Sequence, residues 1–169
     1  MQNTVFLVGY MGAGKTTIGK KISKALNKSF VDLDHHLVSE VGMSIPEYFS
    51  THGEAAFRQK ESEVLRNIPL QGQIISTGGG TPCFSENIDY MLANGVVVYL
   101  KLTPKALYSR LSASDVRKRP ALKGLEGEQL LKHIEDTLAQ REVFYNRAQI
   151  SIDPVSVPLS QIIQAIENV

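Results

Sequence analysis

The sequence predicts an α/β fold, with βαβ units laying parallel strands side by side and helices packed against them. Three observations carry this. Short β-branched runs alternate with longer stretches of helical periodicity. Five such runs recur along the chain, and no internal repeat, low-complexity tract or linker interrupts the alternation. Finally, 169 residues with 43% hydrophobic content suit one sizeable core, so a single domain spanning residues 1–169 is expected.

The first run, Thr4 to Val8, leads into a glycine-rich turn and then a helix with Ile18, Ile22, Ala25 and Leu26 at helical spacing. Ser29 to Asp32 forms the second strand, and a helical pattern through Leu37 and Val38 follows it. Another helical pattern runs on after Gly53, ahead of the third strand, Gln73 to Ser76. Ser85 before Glu86 reads as a helix start, because a hydroxyl cap accepts an orphan N–H. Gly95 closes that helix before the fourth strand, Val96 to Lys101. Thr103 followed by Pro104 is a second start signal, since proline costs nothing at the first helical position. Residues Ser112 to Gly127 lack periodicity and carry Asp, Arg, Lys, Pro and Gly, which predicts a mobile loop. After Glu126 a long helix places Ile134, Leu138 and Tyr145 on one face, and Gln149 to Ile152 forms the last strand.

Charge and composition narrow the function. Eighteen basic residues nearly balance 17 acidic ones, so no global field draws the chain to nucleic acid or to an anionic membrane, and a small partner is expected. No apolar stretch reaches the ~18 residues of a spanning helix, and the N-terminus shows no signal-peptide pattern. The one cysteine, Cys83, cannot form an internal disulfide, which fits a reducing compartment. The expectation is a cytoplasmic protein and, with no heptad pattern, a monomer.

Gly9-Tyr10-Met11-Gly12-Ala13-Gly14-Lys15-Thr16 matches G-x-x-x-x-G-K-[ST], and it lies between a strand and a helix, as its mechanism requires. Glycines let successive N–H groups of Gly12, Ala13, Gly14, Lys15, Thr16 and Thr17 turn toward phosphate oxygens, and the helix adds its positive end. Lys15 would reach the β and γ phosphates of ATP, and Thr16 would offer its hydroxyl to Mg²⁺.

In open parallel sheets ligands gather beyond the carboxyl ends of the strands. There the sequence places Asp32-Leu33-Asp34 and Thr77-Gly78-Gly79-Gly80. In extended chain the two carboxylates would lie on one side, Asp32 toward Mg²⁺ and Asp34 toward an acceptor hydroxyl. Asp34 also suits a helix cap, and the roles are compatible. His35 and His36 follow, but no Cys or further His stands at metal-ligand spacing.

Three arginines remain. Arg141 falls in register with Ile134, Leu138 and Tyr145, on the apolar face, where it either meets an anion or snorkels at the edge. Arg58 stands three residues before Glu61, where a surface ion pair is the plain alternative to substrate grip, and Arg119 precedes Pro120 in the irregular segment. Guanidinium groups recognise carboxylate and phosphate bidentately, so these residues point to phosphoryl transfer onto a small, anionic acceptor.

The order and spacing of these features resemble the shikimate kinases over essentially the whole chain. The shared residues are the phosphate loop, Asp32-Leu33-Asp34, Phe57-Arg58 with Glu61, Ser76-Thr77-Gly78-Gly79-Gly80, Arg119-Pro120, and Arg141 ahead of Tyr145. The resemblance implies a P-loop kinase of three α/β/α layers with a five-stranded parallel sheet, a helical substrate-binding section at 44–67 and a mobile lid at 112–124. It implies transfer of the ATP γ-phosphoryl to the 3-hydroxyl of shikimate, with Asp34 at the acceptor hydroxyls. Arg58 and Arg141 would then clamp the carboxylate, Gly79 and Gly80 would approach the ring, Arg119 would steady the transferring phosphoryl, and Arg110 would stand beside adenine. Residues 153–158 occupy the adenine loop without the basic residue many relatives carry there. Gluconate kinase or another small-metabolite kinase is the nearest rival, and an inactive nucleotide-binding module is the rival from another class.

Overall fold

The computed structural model describes residues 4–114 and 122–169. Five parallel strands form one sheet in the order β2-β3-β1-β4-β5. They are β1 (Thr4–Val8), β2 (Phe30–Asp32), β3 (Ile74–Ser76), β4 (Gly95–Leu100) and β5 (Ile150–Ile152). All five runs read from the sequence are strands, with ends shifted by about one residue. The three central strands are apolar nearly throughout and buried, as strands covered on both faces must be.

The helices are α1 (Lys15–Leu26), α2 (Leu33–Val41), α3 (Ile45–Asn67), α4 (Asn87–Asn94), α5 (Pro104–Ala113), α6 (Gly127–Tyr145) and α7 (Leu159–Glu167). The step from β1 to β2 crosses the sheet one way, and the three later steps cross it the other way. Right-handed crossovers therefore put α1 on one face and α2 to α6 on the other, and α7 packs beside α1. This gives three layers. Because the chain leaves β1 and β3 in opposite directions, a crevice opens at their carboxyl ends, where the phosphate loop and the glycine run both lie.

Local signals explain several boundaries. Thr103 caps α5 through Ala106 N, with Pro104 in the first turn. Ser44 and Glu47 close a capping box on α3, and non-helical backbone at Gly53 (φ 81°) breaks that helix. The start at Ser85 requires correction. Ser85 and Glu86 both take left-handed backbone, φ 51° and 56°, and α4 begins at Asn87 without a side-chain cap. Tertiary contacts override the cap signal: the buried Asn87 carboxamide donates to Thr81 O at 2.9 Å and accepts from Ser62 Oγ at 2.8 Å. Ser112 also departs from the loop expectation, since α5 extends to Ala113. Among the described residues no helix is long and apolar enough to cross a membrane.

Candidate active site

The phosphate loop joins β1 to α1. Gly12 and Gly14 take φ of 80° and 94°, a region that side-chain-bearing residues avoid, and this lets the loop curl over the helix end. No side chain caps α1 and no acidic residue stands in its first turn, so the helix presents its positive end to an anion. Lys15 is buried and donates to the loop's own carbonyls, Gly9 O at 2.7 Å and Tyr10 O at 3.0 Å, which places its ammonium at the loop's centre. Thr16 Oγ1 donates to Asp32 Oδ2 at 2.8 Å. That hydroxyl and carboxylate are the hard oxygen donors that Mg²⁺ takes, so the pair fits such an ion.

Asp32 ends β2 and accepts from His35 N, which makes it the cap of α2. The cap alternative for Asp34 therefore falls to Asp32, and the two carboxylates are not successive positions of one pleat, because the helix begins between them at Leu33. Asp34, in the first helical turn, stays close to Asp32 all the same. Burial, then Glu61 and Asp32, push its carboxyl up to about 6, against the opposing pull of Lys15 and Arg58. Such a group is poised to hold or release a proton near neutrality.

Arg58 does pair with Glu61, at 2.9 Å, but this is no surface pair: the Glu61 side chain is 2% exposed and the Arg58 side chain 16%. Thr81 Oγ1 also donates to Glu61, and the Arg58 guanidinium packs 4.3 Å from the centroid of the Phe84 ring. A methyl group on Gly80 would stand 2.7 Å from Arg58 Nη2, so glycine there makes the room the arginine occupies. Arg141 reaches the same place from α6. Its Nη1 lies 3.2 Å from where a Gly79 side chain would begin, and the Tyr145 hydroxyl donates to Gly79 O. As the periodicity predicts, Ile134, Leu138 and Tyr145 are buried and Arg141 is half-buried.

One cavity of about 420 Å³ joins the phosphate loop to the strand ends, lined by Gly12, Gly14, Lys15, Thr16 and Thr17 from the loop side and by Asp32, Asp34 and Thr77 to Gly79. Arg58, Gly80 and Arg141 are not among its lining residues, and the two arginines meet it only through their contacts with the glycine run. Arg110 stands at its rim, donating to Gly12 O at 3.1 Å and Ala13 O at 3.3 Å. The 153–158 segment is ordered by Asp153, which accepts from Val155 N and Ser156 Oγ, both at 2.8 Å. Those bonds, with Arg110 nearby, hold the Asp153 carboxyl below its usual range. Arg119 lies outside the described residues, as does the central part of the 112–124 lid. His35 and His36 are exposed. A second cavity, about 610 Å³ between α6 and the ends of β4 and β5, is lined by Asp153 of the predicted adenine loop and by none of the other predicted site residues.

Three contributors escaped the sequence reading: Thr81, Phe84 and the Tyr10 ring. Thr81 directly follows the glycine run, which was its available signal. Tyr10 occupies a position where the phosphate-loop pattern accepts any residue, so no signal marked it.

A phosphate loop at the head of a doubly wound parallel sheet, with the Asp32 and Asp34 carboxylates in the same cleft and two arginines packed against the adjoining glycine run, defines a P-loop phosphotransferase for a small acceptor. The family model for shikimate kinase matches residues 11–168. The chain belongs to the shikimate kinase family. It is 43% identical to the shikimate kinase of Parabacteroides distasonis over 150 residues, 88% of this chain and 86% of that protein. The crystal structure of shikimate kinase from Bacteroides thetaiotaomicron superposes with a TM-score of 0.87 at 36% identity, covering 98% of this chain and 95% of that one. Shikimate kinase from Acinetobacter baumannii in complex with shikimate gives 0.85 at 30% identity, covering 98% and 91%.

Proposed function

We propose that this chain transfers the γ-phosphoryl group of ATP to the 3-hydroxyl of shikimate, giving shikimate 3-phosphate and ADP. The observation that supports it best is the single cavity that carries Lys15 and the phosphate loop on one wall and Asp34 and Gly79 on the other. On this reading the donor phosphates and the acceptor hydroxyl would share that cavity, as in-line transfer requires.

On this reading the loop N–H groups and Lys15 bind the β and γ phosphates, and Thr16 and Asp32 hold Mg²⁺. The ion, when bound, neutralises charge on the phosphates. Asp34 accepts a hydrogen bond from the attacking hydroxyl and takes its proton as the new bond forms. Arg58 and Arg141 grip the acceptor carboxylate, and Gly79 and Gly80 let the ring approach the backbone. Arg110 stands on the adenine side. Arg119 is assigned to the transferring phosphoryl by the family pattern alone. The substrate-binding section is 44–67 and the lid 112–124.

The test is ADP release by the purified protein with Mg-ATP and shikimate, gluconate or AMP. ADP with shikimate alone is the expected result. ADP with gluconate or AMP alone would keep the phosphotransferase and discard the acceptor.

A further inference from the structure

The two arginines assigned to the acceptor are oriented by different means. Arg58 is held edge-on by the buried Glu61 carboxylate at 2.9 Å. Among the described residues no carboxylate makes an ion pair with Arg141. Its guanidinium carbon lies 5.5 Å from the centroid of the Tyr10 ring, within cation–π range. That ring is 1% exposed. Its backbone is anchored in the phosphate loop, where Tyr10 O accepts from Lys15 Nζ at 3.0 Å and from Ala13 N at 3.1 Å.

We propose that Tyr10 is a positioning residue for Arg141, and through it sets the affinity for the acceptor's carboxylate. This rests on the reading that Arg141 holds that carboxylate. An aromatic face orients a guanidinium without neutralising it, and it leaves the N–H edge for an anion. A carboxylate partner would instead compete with the substrate for that edge. Tyr145 adds indirect support: its hydroxyl donates to Gly79 O, and Arg141 Nη1 lies 3.2 Å from where a Gly79 side chain would begin. The ring of Tyr10, not its hydroxyl, is the working part. The hydroxyl is buried beside Thr137 and has no partner at hydrogen-bonding geometry among the described residues.

The test compares Tyr10→Phe with Tyr10→Met, a substitution that keeps bulk but removes the π face, with Tyr10→Leu as substitute should the methionine variant not fold. Steady-state kinetics with shikimate and ATP varied separately is combined with calorimetric titration of shikimate. Tyr10→Met should raise the KM and Kd for shikimate about tenfold, the size of a partly desolvated cation–π contact. The KM for ATP should stay within about twofold. Tyr10→Phe should behave like the unaltered protein. In an Arg141→Ala background Tyr10→Met should add no further loss, because the residue it positions is gone. Unchanged shikimate affinity in Tyr10→Met, an equal rise in the KM for ATP, or a Phe variant as impaired as the Met variant would each overturn the proposal. The unaltered protein is assayed first. Its failure to phosphorylate shikimate would overturn the functional reading instead, and the inference that rests on it.

Discussion

Replacing Asp34 with asparagine should stabilise the fold while removing activity. The Asp34 carboxyl is pushed from 3.8 to about 6, chiefly by burial and then by Glu61 and Asp32. Its unfolded-state value stays near the reference, so between about pH 4 and pH 6 the native state binds more protons than the unfolded one, and stability falls as pH rises through that window. Above it the full cost of holding a charge there is present. A rise of this size corresponds to at most about 3 kcal/mol at pH 7. An asparagine side chain carries no charge and has nearly the same shape, so Asp34→Asn should gain about 1–3 kcal/mol at pH 7. In a domain of this size that raises Tm by about 2–4 °C per kcal/mol. Thermal unfolding at pH 7 and pH 4 measures it: the gain should be present at pH 7 and fade by pH 4, where Asp34 is itself neutral. Turnover should fall about 10²–10⁴-fold if the carboxylate works as the base. A variant no more stable at pH 7 than the unaltered protein, or equally stabilised at both pH values, would refute the reasoning.

Other outcomes follow from the same geometry. Lys15→Met should abolish phosphoryl transfer with circular dichroism unchanged, and retained ADP release would remove Lys15 from the mechanism. In the acid limb, kcat/KM for shikimate should decline with an apparent pKa near 6, because protonated Asp34 cannot accept the hydroxyl's proton; a profile flat from pH 5 to 8 would exclude it as the base. Gly80→Ala would put a methyl 2.7 Å from Arg58 Nη2, so the KM for shikimate should rise and stability should drop by about 1–3 kcal/mol, read by kinetics and denaturant unfolding. Unchanged kinetics there would mean that Arg58 does not need its present place.

The fold was legible because its strands announce themselves. Val5 to Val8 and Val96 to Leu100 are unbroken apolar runs, which only strands covered on both faces tolerate, and helical spacing separates them. Much of the candidate site was legible for a related reason: Asp32 ends a strand and Lys15, Asp34 and Gly79 lie within a short turn of one, so chain position alone brings them to one edge of the sheet. What escaped depended on packing between distant segments. Asn87 outweighs Ser85 as the start of α4 through bonds to Thr81 and Ser62 that no local pattern records. The Arg58–Glu61 spacing reads as an ordinary helix-surface pair, and only the packing of the glycine run and Thr81 against it makes it a buried one. The contact of Arg141 with Tyr10 joins residues from opposite ends of the chain, one of them in a motif slot that any residue can fill.

The destination of the phosphoryl group is the decisive observable. Incubating the purified protein with Mg-ATP and shikimate, then correlating ³¹P with ¹H by NMR, reads that directly. The expected result is one new phosphoester coupled to the proton on C3 of shikimate, absent with Lys15→Met and greatly reduced with Arg141→Ala. Phosphate on another hydroxyl, or ADP accompanied by inorganic phosphate alone, would contradict the arrangement proposed for Asp34, Arg58 and Arg141 around the acceptor.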